Sequence, residues 1–317
     1  MHSRTCSLIK IAVLFAGIST GVFANTEIPV PKPAAGTIQR LDKLLSESPA
    51  ARTVDVWLPP GYSDNQKYAV LYMHDGQMLF DAGITWNKQE WRVDEVAAQL
   101  MAEGKVRPFI VVGVHNNSKT RHSDYFPQKP FESLPQATRD ELMQSARNAS
   151  QSLFSGDIAS DAYLKFLVDE LKPYIDGHFS VYTDAENTAV MGSSMGGLIS
   201  LYAISEYPRI FGSAAGISTH WPGVMPGNDN PVPEALFGYM RSNLPEASTH
   251  RLYFDHGTET LDAFYPPLQA KADVVLREKG YSAANWQTRE FPGAEHSENA
   301  WSARLDIPLQ FLFGIER

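Results

Sequence analysis

The stretch Gly192-Ser193-Ser194-Met195-Gly196 reads G-x-S-x-G, set between the apolar run TAVM and the helical run LISLYAISEY. That spacing suits a serine nucleophile carried on a sharp strand-to-helix turn. The turn forces Ser194 into a strained backbone conformation that lifts its hydroxyl above the strand ends. Glycine at 192 and 196 avoids collision with neighbouring backbone. The helix that follows aims its first amides at the hydroxyl, which makes the Met195 N–H a candidate oxyanion donor. A serine hydroxyl is a poor nucleophile near neutral pH and needs a base. The candidate base is His296, in Phe291-Pro-Gly-Ala-Glu-His-Ser, a loop after an apolar strand pattern and before a helix containing Trp301. The loop His74-Asp75-Gly76-Gln77, after the run YAVLYM, can supply the second oxyanion donor from the N–H of Gly76 or Gln77. Such a set performs acyl transfer.

A carboxylate must hold the base, and in folds with this turn it falls between the serine and the histidine. Leu252-Tyr-Phe-Asp-His-Gly-Thr-Glu-Thr-Leu-Asp262 offers three. Asp255 reads as a structural residue at the end of a strand. Glu259 and Asp262 both lie past Gly257, where a loop can turn a carboxylate toward the histidine, and they stand as alternatives with Glu259 preferred on loop geometry. His74 beside Asp75 lacks a third ligand at useful spacing, so no metal site is expected. His115, His122, His178, His220, His250 and His256 read as structural or surface residues. Trp221 follows the strand SAAGIS on the rim where parallel sheets bind ligands; it is a candidate pocket wall, with core packing as the other reading.

The elements that must position these residues alternate between strands and helices. Arg52 to Leu58 alternates polar and apolar residues, which predicts a strand exposed on one side. Tyr68 to Met73 and Phe109 to Val114 are continuous apolar runs, as in strands buried on both faces of a parallel sheet. Thr188 to Met191, Ser213 to Ile217, Arg251 to Asp255 and Trp286 to Phe291 read as further strands. Trp91 to Glu103 and Tyr163 to Ile175 have helical spacing, the second broken or ended near Pro173. The pattern predicts an α/β fold with a mostly parallel central sheet and helices on both faces. Phe126 to Asp161 fits the alternation poorly and reads as either a cover over the site or a surface decoration.

The 317 residues carry a formal charge of -9 and are 43% hydrophobic, a globular composition whose acidity argues against nucleic-acid partners. Residues 1–24 read as an export signal: Arg4 and Lys10, an apolar stretch from Ile11 to Val22, and small residues for cleavage after Ala24. Cleavage would remove two positive charges, taking -9 to -11, and would take Cys6, the single cysteine. A periplasmic or secreted location without stable membrane insertion follows, and the mature chain must rely on its core rather than disulfides. Residues 25–36, rich in Pro and small residues, read as an extended leader, and 37–317 as one domain.

With these motifs in place, the chain resembles the putative-esterase family of α/β hydrolases, which includes esterase D, feruloyl and acetylxylan esterases, siderophore trilactone esterases and mycolyltransferases. The resemblance spans about residues 50 to 313 and rests on YMHDGQMLFD, Arg121 to Pro127 (RHSDYFP), MGSSMGG and the late G-x-x-H from Gly293 to His296. It implies the α/β-hydrolase fold and a Ser–acid–His triad mapping to Ser194, the Glu259/Asp262 loop and His296. It also implies an ester as a small-molecule substrate and no cofactor. Many members place the acid three residues after the loop glycine, a position held here by Thr260. The ester is expected to be of siderophore or acylated-carbohydrate type; the alternatives are an acyltransferase or a non-catalytic ligand-binding module.

Overall fold

A computed structural model describes residues 28–41, 52–148, 150–227 and 229–315. The proposed signal, residues 1–24, and Cys6 lie outside them. Eight strands form one sheet: β1 (Thr37–Leu41), β2 (Val54–Leu58), β3 (Ala69–His74), β4 (Phe109–Val114), β5 (Thr188–Ser193), β6 (Ser213–Ile217), β7 (Arg251–Gly257) and β8 (Trp286–Phe291). Their spatial order is β1-β2-β4-β3-β5-β6-β7-β8. The pairs β1/β2 and β2/β4 are antiparallel and the rest are parallel. This is the α/β arrangement the apolar runs call for, with β1 added at one edge.

The period of two along each strand sorts the core into two layers. Val54, Val56, Val70, Tyr72, Val190 and Ala214 belong to one cluster, together with the helices Met195–Glu206, Val232–Asn243 and Pro266–Glu278. Trp57, Leu71, Met73, Val111, Met191 and Ala215 belong to the other, with Val93–Ala102 and Asp306–Phe313. The helix Met195–Glu206 is buried along nearly its whole length, because it lies under the sheet centre.

Two expectations are corrected. β2 is buried at every position rather than exposed on one side. Its polar residue Asp55 is held by Arg40 Nε at 2.7 Å and by His115 Nε2 at 2.7 Å, so the alternation marks a buried ion pair, not a solvent face. Helical backbone also continues past Pro173, from Ser160 to His178. A π-helical stretch, Phe166–Leu171, precedes Lys172–His178, and Pro173 falls in the first turn of that last segment, where a missing N–H costs least.

The described part of the leader, from Ile28 to Gly36, is tied to the body. Asp94 accepts from the N–H of Ala34 (2.7 Å) and Ala35 (3.1 Å), and Trp57 Nε1 donates to Ala35 O at 2.7 Å. The 126–161 excursion forms two short helices, Gln128–Glu132 and Gln136–Met143, and a hairpin of Ala146–Asn148 with Gln151–Ser152. Phe126, Leu142, Leu153 and Phe154 from it are buried in the first core layer. Its Phe154 ring meets His122, whose Nε2 bonds Gly223 O (2.8 Å) in the segment after β6.

Candidate active site

Ser194 stands between β5 and its helix with φ 57° and ψ -121°, a conformation that costs a non-glycine residue about 1–3 kcal/mol. The surroundings over-determine it. Its N–H donates to Ile217 O (2.9 Å), and its carbonyl accepts from Gly197 N (3.0 Å) and His220 N (3.1 Å). A Cβ on Gly192 would sit 2.8 Å from the carbonyl of Gly196, so glycine is obligatory there. At Gly196 the same test meets only His74 Cβ at 3.5 Å and Asp75 Oδ2 at 3.6 Å, ordinary contacts. The tighter of the two helix glycines is instead Gly197, where a Cβ would lie 2.6 Å from the Thr219 hydroxyl and 3.2 Å from the Gly216 backbone. The expectation of a backbone collision at Gly196 is corrected accordingly.

Geometry separates the two candidate carboxylates. His296 Nδ1 lies 2.5 Å from Asp262 Oδ1, while Glu259 is exposed at the start of the turn Thr260–Phe264. The structure therefore brings Asp262, not the preferred Glu259, to the histidine. The reason lies in Thr260, which takes a left-handed φ of 53° and whose Oγ1 accepts from His296 N at 2.9 Å. The turn then carries Asp262 inward. Two further braces join the loops: Glu259 N donates to Ala294 O (3.0 Å), and Gly293 N donates to Thr258 Oγ1 (2.8 Å). A Cβ on Gly257 would come within 2.1 Å of Ala294 O, so the loops meet backbone to backbone.

Asp262 is fully buried. Burial alone would raise its carboxyl, but the bonds from His296 Nδ1, Ser218 Oγ (2.5 Å) and Gly257 N (2.6 Å) outweigh this and hold it below the usual carboxylate value. An ionised Asp262 can only accept, so His296 carries its proton on Nδ1 and leaves Nε2 as an acceptor.

On the opposite side, Asp75 caps a short turn, Gly76–Met78, with φ 60°. Arg121 grips its carboxylate through Nε (2.7 Å) and Nη2 (2.6 Å), and Asn116 Nδ2 adds a bond of 2.6 Å. With its oxygens so engaged, Asp75 is a scaffold for the turn. A Cβ on Gly76 would fall 2.5 Å from the Gly113 carbonyl, which presses the turn against β4. Gln77 Oε1 accepts from Asn116 N at 3.1 Å. The Met195 N–H opens its helix, where intrahelical acceptors are lacking. His74 is buried and neutral, its pKa lowered to about 4 by burial, with Nδ1 2.8 Å from Tyr163 Oη. Among the described residues, no group of three or more His, Cys, Asp or Glu could hold a metal ion.

Trp221 is corrected as a pocket wall. It is wholly buried, packs against Phe237 and Phe254 (ring centroids 5.6 Å from each), and donates Nε1–H to Gln269 Oε1 at 2.8 Å. The residue beside it matters more. His220 Nε2 donates to Val224 O (3.0 Å), leaving Nδ1 to accept from Tyr265 Oη at 2.7 Å. Burial, reinforced by His296, lowers His220 to about 3 and keeps it neutral. The Tyr265 ring stands edge-on to His296 at 5.8 Å. Tyr265, Ser218 and Thr260 were not among the sequence candidates. Ser218, directly after β6, is the one whose position could have flagged it.

The description Putative esterase matches residues 46–311. The chain is 27% identical to the uncharacterized protein YbbA of Bacillus subtilis over 282 residues, covering 86% of this chain and 97% of YbbA. It is 26% identical to the uncharacterized protein YjcH of the same organism over 182 residues, covering 57% of this chain and 61% of YjcH. The ferulic acid esterase AmCE1/Fae1A of Anaeromyces mucronatus superposes with a TM-score of 0.60 at 20% identity, over 87% of this chain and 90% of that one. The IroE-like serine hydrolase of Shewanella oneidensis gives 0.63 at 17%, over 88% and 82%. The enterobactin esterase FES of Shigella flexneri gives 0.58 at 18%, over 89% and 60%. These three likenesses are ones of fold. The match to the family over most of the chain identifies this protein as a member of the Putative esterase family, a carboxylic ester hydrolase on an α/β-hydrolase fold.

Proposed function

We propose that the protein hydrolyses its ester through an acyl-enzyme on Ser194, with His296 as base and Asp262 as the acid. The observation that carries this reading is the 2.5 Å contact of His296 Nδ1 with a buried, ionised Asp262, on loops braced to the end of the sheet that bears Ser194. His296 Nε2 takes the Ser194 proton as Oγ attacks the ester carbonyl carbon. The Met195 N–H and an N–H of the Gly76–Gln77 turn meet the oxyanion. The C–O bond then breaks, and the alcohol leaves with the proton from Nε2. Water, deprotonated by the same nitrogen, attacks the acyl carbon, and the acid departs as Ser194 recovers its proton. No cofactor enters this sequence.

The ester is of siderophore or acylated-carbohydrate type, a reading supported by the enterobactin and ferulic acid esterases that share the fold. The export signal of residues 1–24 supports action in the periplasm or outside the cell. The test is hydrolysis of short-chain p-nitrophenyl esters with and without a fluorophosphonate probe. Turnover should stop as Ser194 is labelled, and Ser194→Ala should lower kcat by about 10,000-fold or more at unchanged stability. Turnover surviving in the purified variant would refute the assignment.

A further inference from the structure

Behind Asp262 lies a buried polar cluster that the acyl-transfer steps do not use. Ser218, the first residue after β6, is fully buried and sits at φ 44°, a left-handed conformation that a serine adopts at a cost. Its Oγ lies 2.5 Å from Asp262 Oδ2, 3.0 Å from Trp301 Nε1 and 3.0 Å from Arg304 Nη2. Indole and guanidinium groups only donate, so both lone pairs of the hydroxyl are taken and its single proton must point at Asp262. Arg304 Nη2 also donates to Asp255 Oδ1 at 2.9 Å, and both partners of that ion pair are buried. The Ser218 backbone is tied to the same residue, its N–H donating to Asp255 O at 2.9 Å. Trp301 in turn sets its ring edge-on to His296 at 5.0 Å.

The direction of every bond in this cluster is thus determined, from Arg304 through Ser218 to Asp262. We propose that Ser218 is a positioning residue for the reaction: its hydroxyl couples the buried Arg304–Asp255 pair to Asp262 Oδ2 and fixes the carboxylate plane that aims His296 at Ser194. Gly257 N holds Oδ2 from a second direction, so without Ser218 the carboxylate keeps that one anchor beside the His296 it must orient, and can turn about it. The unfavourable φ supports the same reading. Glycine would fit the backbone better, yet the chain carries a hydroxyl there. This inference rests on the triad reading above.

The test separates geometry from stability. Ser218→Gly removes the hydroxyl and relieves the backbone but takes away the acceptor of Trp301 Nε1, so a merely structural residue would give a variant changed in stability with full activity per folded molecule. The expected result is a kcat lower by about 10- to 100-fold, the worth of a hydrogen bond to a charged group. KM should be held and fluorophosphonate labelling of Ser194 should slow in parallel, whatever the change in melting temperature. If that variant does not fold, Ser218→Ala, which keeps the backbone preference of a side-chain residue, gives the same readout. An unchanged kcat per folded molecule in the variant that folds overturns the proposal. Ser194→Ala, run alongside, distinguishes the two readings: if it retains turnover, the triad assignment itself fails, whatever Ser218 does.

Discussion

At the Ser194 elbow the constraints are backbone against backbone. Gly192 has no room for a Cβ beside Gly196, and the strained φ of Ser194 is held by main-chain bonds from β6 and the helix. Across the site, His296 and Asp262 sit on loops whose placement rests on hydroxyls and a carboxylate: Thr260 on His296 N, Thr258 on Gly293 N, and Ser218 on Asp262. The elbow is a local device that a few consecutive residues define. The acid–base side is an assembly of residues drawn from β6, β7, the Thr260 turn and the C-terminal helices. Steric changes at the elbow should therefore cost stability, and changes at the acid–base side should cost chemistry in an intact fold.

The sharpest contrast lies within the acid loop. Asp262→Asn should lower kcat by about 10,000-fold, because an amide that donates toward His296 Nδ1 favours the wrong tautomer. Glu259→Gln should leave steady-state kinetics unchanged, since that side chain is exposed. Equal losses in the two variants would break the contrast between a buried acid and an exposed neighbour. At the elbow, Gly192→Ala should destabilise the fold by about 1–3 kcal/mol or more through overpacking. Gly196→Ala, facing only ordinary contacts, should stay within about 0.5 kcal/mol, and chemical denaturation of the pair would reveal any reversal.

A smaller effect distinguishes the two sides by pH. His74 beside the elbow, and His122 and His220 near the acid–base side, are buried neutral, with values lowered by burial to about 4, 3 and 3. Their folded values lie below the unfolded 6.5, so the unfolded chain binds more protons as pH falls from 6.5 toward those values. Their contribution to stability is fully present above 6.5 and is lost progressively on acidification through that window. The melting temperature should fall across it. His122→Gln, which can still donate to Gly223 O, should flatten the fall; an unaltered slope would remove His122 from the account.

Much of this molecule was legible one segment at a time. The apolar runs mark β3, β4 and β6 because strands buried on both faces need continuous apolar sequence. The elbow could be read because its sharpest steric demand, at Gly192, falls within five consecutive residues, although the next crowded glycine proved to be Gly197. β1 escaped notice, since an edge strand of TIQRL carries no buried period, and β2 misled because its polar residue is buried against Arg40 and His115.

By itself the sequence determined the strand–turn–helix at Ser194, the histidine that follows the last strand, and the two carboxylates competing to hold it, because each depends on local residue type and spacing. Tertiary structure alone decided which of those carboxylates reaches His296. Glu259 and Asp262 differ by three positions in one loop, and what separates them is the left-handed turn at Thr260 and the donors waiting on Ser218, Gly257 and His296. Trp221 was decided in the same way, by Phe237, Phe254 and Gln269 closing around it. A carboxylate meets the histidine, and an indole becomes core, through partners distant in the chain; such partners meet only when the sheet has formed.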